Sequence, residues 1–575
     1  MQRCEISPLG SCLGRDDSMN NCKQCNQPFT LAPEDKEIMK KLEVSDPQLC
    51  SVCSLLRRLA WRNERHLYWR TCELCKKEIL AMYAPSSYAR VYCRECWFSD
   101  LWDPLSYGRS YDESKPFMDQ VFGLLRDVPH YNLWKIGNNE NAEYANMILS
   151  ARNCYLGFSC LESDGVVYGK NVDYSRDCVD CYNVFKGELL YECVDVRESY
   201  RCAYLTRSTK CNESYLCRDC HDVSNCFGCV NLKHKQYCWF NEQLTKTEYE
   251  RRLQEALSSR ASFEAAHKKF IEFSLTQPVE FAIIRSSEGA TGDYVYNCKD
   301  TRASFDVYND DNIGDAFRVY DVKDSCRLSY TKDGQLVYEY ISGPNEMQVI
   351  ACMGAPNLSM SAYCFECYDS DNLLGCMGLR KKKFCILNKE YSEQEYRRLR
   401  TQIVEQLRRA GQYGEFFPTA QSFHAYNDST ANESFPLTKE EVLARGWRWN
   451  DDQGGSRGKE TIKPADVPTT TEGIPESITK EILACVQCGL NYRIQAMELQ
   501  ALRTFGLSLP IQCQECRFKR RLKLHNFPPL YTRGCMCKNA AHSHPFPCPT
   551  QFETTYSPDR PEIVYCNPCY QQEIK

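Results

Sequence analysis

The chain has 575 residues, of which 43% are hydrophobic and 26% charged, with a formal net charge of −5. That length exceeds one ordinary core, the composition excludes a fibrous or wholly disordered chain, and the acidic balance argues against wrapping duplex nucleic acid end to end, where neutralised phosphates supply the affinity. No apolar run approaches the roughly 18 residues that span a bilayer, so no membrane contact is expected, and the start, MQRCEISPLGSC, lacks the apolar stretch of an export signal.

Thirty-eight cysteines dominate the composition. Many fall in CxxC pairs, which place two thiolates on one tight turn within reach of a single zinc ion, whereas a disulfide closing so short a loop gains little chain entropy. This usage predicts a reducing, cytoplasmic setting, or a virion-associated one if the chain is viral. With only nine histidines, the expected sites are closed, all-cysteine and structural.

Residues 20–110 carry the first two quartets. Cys22 and Cys25 precede Cys50 and Cys53 by a 24-residue interval, enough chain for a zinc ribbon or treble clef; Cys72 and Cys75 then pair with Cys93 and Cys96. From Cys50 the chain reads CSVCSLLRRLAWRN, an amphipathic helix with Leu55, Leu56, Leu59 and Ala60 on one face and arginines on another. Arg57, Arg58, Arg62 and Arg65 are candidate contacts for a phosphate backbone or for an acidic surface of a partner or of the chain itself.

In residues 140–275, Cys193, Cys202, Cys211, Cys220, Cys229 and Cys238 recur every nine residues, as in YECVDVRES and YRCAYLTRS. The period predicts a parallel β-solenoid whose coil holds two such repeats, with the cysteines stacked as a buried ladder. A metal site on Cys217, Cys220, Cys226 and Cys229 is the alternative, while calcium is disfavoured because the glycine-aspartate turns of calcium rolls are absent. Residues 290–412 form a second copy 147 positions on, placing Cys229 on Cys376 and Cys238 on Cys385. Each copy ends in a predicted capping helix opened by a capping box, Thr245 to Glu248 and Ser392 to Glu395.

Residues 420–482 are polar and broken by Gly and Pro, a linker with one short helix from Thr438 to before Gly446 that Trp447 and Trp449 would dock. In 483–575, Cys485, Cys488, Cys513 and Cys516 repeat the 24-residue interval, and RRLKLHNFPPLYTRGC at 520–535 aligns on RRLAWRNERHLYWRTC at 57–72. Arg520 and Arg521 thereby match Arg57 and Arg58, and Cys535 matches Cys72. From the other end Cys548, Cys566 and Cys569 match Cys75, Cys93 and Cys96. An insertion, CMCKNAAHSHPFP, splits this fourth knuckle, so either Cys535 or Cys537 completes it. Within the insertion His542 and His544 read as polar loop residues, with a ligand or a second, weaker metal position as the alternative. The modules 20–110 and 480–575 carry about +3 and +5, so the middle is acidic.

The strings RRLAWRNERHLYWRTCELC, YCRECWFSDLWDPLSYGRSYD, NCFGCVNL and FETTYSPDRPEIVYCNPCYQQE resemble an uncharacterised multi-zinc-ribbon, Cys-rich repeat family associated with candidate-phylum bacteria and large DNA viruses. The resemblance covers nearly the whole chain and implies an architecture rather than a chemistry. The expected fold is mixed and mainly β: tandem four-cysteine zinc-ribbon or treble-clef modules at both ends flank two parallel β-solenoid repeats, each followed by a helix. About four zinc ions per chain are expected. No phosphate loop, HExxH or nucleophile elbow is present, so an enzyme is not expected. The expected role is a zinc-binding scaffold for macromolecular, chiefly protein, partners; the alternative is a nucleic-acid-binding factor working through the Arg-rich helices.

Overall fold

Between residues 140 and 239 the backbone pairs with itself at one constant offset. The parallel bridges Val194↔Thr206, Arg197↔Thr209, Tyr200↔Asn212 and Ala203↔Tyr215 all join residue i to residue i+12, as do the strands Arg176–Val179, Glu188–Tyr191 and Tyr200–Ala203. The chain therefore climbs one layer every twelve residues, with four paired positions per layer. This is seen in a computed structural model that describes residues 19–332, 338–344, 347–354, 356–470 and 474–574; the N-terminal stretch read as lacking an export signal lies outside them.

The structural unit is three residues, not nine. In each triplet the first residue pairs with the next layer, the second adopts a left-handed backbone and the third points inward: Tyr191 pairs with Val179 and Ala203, Glu192 has φ 55°, and Cys193 is fully buried. The expected coil of two nine-residue repeats is thus replaced by a twelve-residue turn. Because nine is a multiple of three but not of twelve, cysteines nine apart all point inward yet fall on different sides of the turn, so they do not stack in one ladder.

The triplet explains the composition. Asn and Asp tolerate the left-handed region better than most residues, and Asn171, Asp180, Asn183 and Asp195 all sit at it. The inward column is built of Cys, Ser, Val, Leu and Gly, and its polar members are satisfied by the turn itself. Ser199 Oγ donates to Arg197 O at 2.9 Å and accepts the Cys211 N–H at 3.0 Å. Cys202 Sγ donates to Tyr200 O and Cys211 O at 3.2 and 3.4 Å.

The second copy repeats the offset of twelve through Ser304–Tyr308, Phe317–Tyr320 and Ser370–Leu374, with Val307, Leu328, Val349 and Leu358 in its column where Cys160, Cys181, Cys202 and Cys211 stand in the first. Both stacks close alike. Asn241 and Asn388, matched by the 147-residue spacing, each hold both backbone groups of a residue one layer below, Val230 and Met377. The helices Lys246–Leu257 and Glu393–Arg409 then begin at Thr245 and Ser392, whose hydroxyls accept the N–H of Glu248 and Glu395. The reciprocal half of each capping box is absent, since those glutamates bind Arg251, Arg252 and Arg398 instead.

The stacks lie side by side. Arg318 pairs with Asp173 at 2.8 Å, Tyr320 Oη donates to Asp173 at 3.0 Å, Tyr294 Oη donates to Asp195 at 2.9 Å, and Arg197 covers the rings of Tyr296 and Tyr308. Charges at this depth persist because each finds a partner.

The expected linker is only partly one. Its stretch around Asp451–Gly455 is exposed, but Phe423, Tyr426, Asp428, Ser429 and Ala431 are buried. Phe423 packs on Trp61, Tyr83, His130 and Phe365. The segment looks polar because its buried amides are paired within it: the Asn427 side chain donates to Asn450 O at 2.7 Å and accepts the Asn450 N–H at 2.8 Å. The short helix, Lys439–Ala444, carries a complete capping box from Thr438 to Glu441, and Trp447 stacks on Tyr426.

Candidate metal centres

One local plan recurs four times. Two cysteines leave a short antiparallel hairpin, and two more sit at the start of a helix, one at the N-cap and one in the first turn. Cys22 and Cys25 follow Asn20–Asn21 and face Cys50 and Cys53 at the head of Ser51–Leu59. Cys72 and Cys75 lie between the paired strands Tyr68–Thr71 and Glu78–Ala81 and face Cys93 and Cys96. Cys485 and Cys488 face Cys513 and Cys516 at the head of Gln514–Leu522, and Cys535 and Cys548 face Cys566 and Cys569 at the head of Asn567–Glu573.

The helix start favours anionic sulfur because its free N–H groups and positive dipole end point at it. Backbone donors already reach the thiols: Cys93 N–H to Cys72 Sγ at 3.2 Å and Cys566 N–H to Cys535 Sγ at 3.3 Å. Burial pushes the Cys93 and Cys569 thiols well above the ordinary thiol range, a penalty that a dication at the centre reverses.

Distances test whether zinc fits. Four sulfurs about 2.3 Å from a tetrahedral ion stand roughly 3.8 Å apart. The observed Sγ separations are 3.8 Å for Cys25 and Cys50, 3.9 Å for Cys75 and Cys93, 3.6 Å for Cys488 and Cys513, and 3.7 Å for Cys548 and Cys569. All four groups are compatible with zinc. Of the two cysteines competing for the fourth site, Cys535 joins it; Cys537 groups instead with His542, His544 and Cys569. The cysteines of the stacks belong to no such group among the described residues. Cys217, Cys220 and Cys229 donate to the carbonyls of Tyr215, Arg218 and Phe227.

The six arginines nominated as phosphate or partner contacts are engaged by the chain itself. Arg57 meets Glu339 at 2.5 Å and Glu415 at 2.6 Å. Arg58, fully buried, donates to Ser54 Oγ at 2.6 Å and Ser329 Oγ at 3.2 Å. Arg62 pairs with Glu64 and lies over the Tyr330 ring. Arg65 spans to the other module, 2.8 Å from Glu515 and over Phe518. Arg520 meets Glu192 at 2.5 Å, and Arg521 meets Asp180 at 2.6 Å and Glu192 at 3.0 Å. Of these, only Arg520 keeps a half-exposed side chain. Burial opposes ionisation of Glu64, yet Lys170 and Arg62 hold its carboxyl well below the usual carboxylate range; Arg57, Arg58 and Arg327 likewise lower Glu339.

The modules thus dock crosswise: the N-terminal helix sits on the second stack and the C-terminal helix on the first. Sequence reasoning missed the acceptors. Glu192 and Glu339 are separated by the same 147 residues that relate the two stacks, which was a usable signal, whereas Arg517 with Asp180 and Glu498 has Ser54 opposite it in the other copy and left none.

No protein-family model matches the chain, and neither does any curated protein.

Proposed function

We propose that this chain is a zinc-stabilised scaffold whose four Cys4 modules, in zinc-ribbon or treble-clef form, lock two short β-solenoids into one rigid body that presents a surface to a protein partner. The observation that carries the reading is the crosswise docking of the arginine helices, which makes the modules internal braces. Their cationic faces meet Glu192, Glu339 and Asp180 at ion-pair distance, as expected of guanidinium forks matched to carboxylates, and this supports the scaffold over a nucleic-acid-binding role. A groove between the stacks, lined by Trp134, Ile136, Leu149, Leu161, Tyr174 and Tyr320, leaves Ile136, Leu149 and Tyr174 exposed. Apolar exposure of this kind suits a protein partner. We assign the chain no catalytic step.

The test has two parts. Elemental analysis of the full chain is expected to return at least four zinc ions, and gel-shift titrations at low salt no affinity for single- or double-stranded nucleic acid. Binding that weakens steeply with salt would replace this reading with the nucleic-acid one. Pull-downs comparing wild type with Leu149→Glu are then expected to lose the partner in the variant alone.

A further inference from the structure

The insertion at residues 536–547 does more than split a knuckle. It brings Cys537, His542 and His544 to Cys569, with all four ligand atoms within 4.8 Å of one another. Cys537 is fully buried and His542 nearly so, so the polar-loop expectation for His542 fails on burial. We infer that this group is a fifth zinc site, of Cys2His2 type, sharing the Cys569 thiolate with the neighbouring Cys4 site to make a two-metal cluster; the inference rests on the Cys4 sites being zinc sites.

The ring orientations support it. A histidine that binds zinc through one nitrogen almost always donates its other N–H to an oxygen acceptor, which sets the tautomer. His542 Nε2 lies 3.2 Å from the Glu573 carboxylate, and its Nδ1 faces Cys537 Sγ at 3.2 Å. His544 directs Nδ1 to Pro545 O at 2.8 Å, while its Nε2 is buried without a hydrogen-bond partner. Each ring therefore has one nitrogen held by oxygen and one left for the centre. Two cysteines and two histidines form a donor set that closes a tetrahedral zinc site.

Charge and chain connectivity point the same way. One dication in four thiolates leaves a formal −2, and two dications among five thiolates leave −1, so the second ion relieves a buried negative charge. In the N-terminal copy a CxxC turn fixes Cys72 and Cys75 together. Here that constraint is lost, and an ion tying the insertion to the helix Asn567–Glu573 restores it.

The test is zinc content of the full chain, wild type against a His542→Ala/His544→Ala double variant, with cadmium NMR of the wild type after metal exchange. Five ions falling to four, with two cadmium resonances coupled through the shared sulfur, is the expected result. Four ions in both proteins, or five in both, overturns the fifth site and leaves the Cys4 reading standing. Fewer than four in the wild type overturns both. If the variant does not fold, the cadmium coupling decides: its absence from the fully loaded wild type overturns the shared thiolate.

Discussion

Arg57 reaches from the N-terminal module to Glu339 in the second stack at 2.5 Å. Its counterpart by the module duplication, Arg520, reaches Glu192, the counterpart of Glu339 by the stack duplication, also at 2.5 Å. Two independent internal repeats therefore meet at one contact made twice, and the molecule has a pseudo-twofold core of buried ion pairs. Asn63 and Asn526 extend the correspondence, bonded to Asn146 and Asp293 on opposite stacks.

Removing one acceptor of this core leaves a buried cluster one negative charge short, although Arg57 keeps Glu415 and Arg521 keeps Asp180, and costs about 3–5 kcal/mol. Glu339→Gln and Glu192→Gln are expected to lose stability in that range by denaturant titration. Arg520→Met should cost under about 1 kcal/mol, because its head is half exposed. Equal losses for all three would mean that burial does not set the strength of these pairs.

The four Cys4 sites should release metal in order of exposure. In the first site Cys25 is exposed and Cys50 partly so, whereas all four cysteines of the last are buried. With a chromophoric chelator, the first ion out is expected from Cys22, Cys25, Cys50 and Cys53, and Cys25→Ser should abolish that fast phase alone. Each closed site adds on the order of 10 kcal/mol of folding free energy, so full chelation is expected to unfold the terminal modules.

His525 joins both stacks to the C-terminal module, 2.7 Å from Asp195 and 3.4 Å from Asp306, and stacks on Tyr294. Burial alone would lower its pKa, but the two carboxylates raise it to about 10. A raised folded-state value means the stabilisation is complete below the unfolded value of about 6.5 and fades as pH climbs towards 10. Stability should fall across that window, and His525→Gln should flatten the fall; an NMR titration showing a neutral ring at pH 7.5 would contradict it.

Asp310 points into the second column, where the first stack has Ser163. It accepts the Val322 N–H at 2.7 Å, and its Oδ2 is buried without a partner. Burial pushes its carboxyl up to about 8, so the folded state holds a proton that the unfolded chain has released, and stability falls as pH rises from about 4 to 8. Asp310→Ser is expected to stabilise the protein at pH 8 by about 1–3 kcal/mol and to have little effect at pH 4. A destabilised serine variant at pH 8 would count against a neutral Asp310.

Much of the candidate site was legible because metal ligation is local. A CxxC turn and a cysteine at a helix start are set by a few residues each, and duplication identified the quartets before any fold was known. The two-way choice at the split site was not legible, since Cys535 and Cys537 are both near enough in sequence; the paired strands Tyr531–Gly534 and Gln551–Thr554 bring Cys535 to Cys548. The stack register was also hidden, because a cysteine every nine residues satisfies any turn built of inward-pointing thirds.

By itself the sequence determined that four thiolate quartets, two acidic repeats and two arginine-rich helices exist, since each depends on spacing within a short stretch. Only the tertiary structure decided what the arginines hold. A guanidinium fits phosphate and carboxylate alike, and the choice came from which carboxylates the crosswise docking of modules on stacks brought within 3 Å.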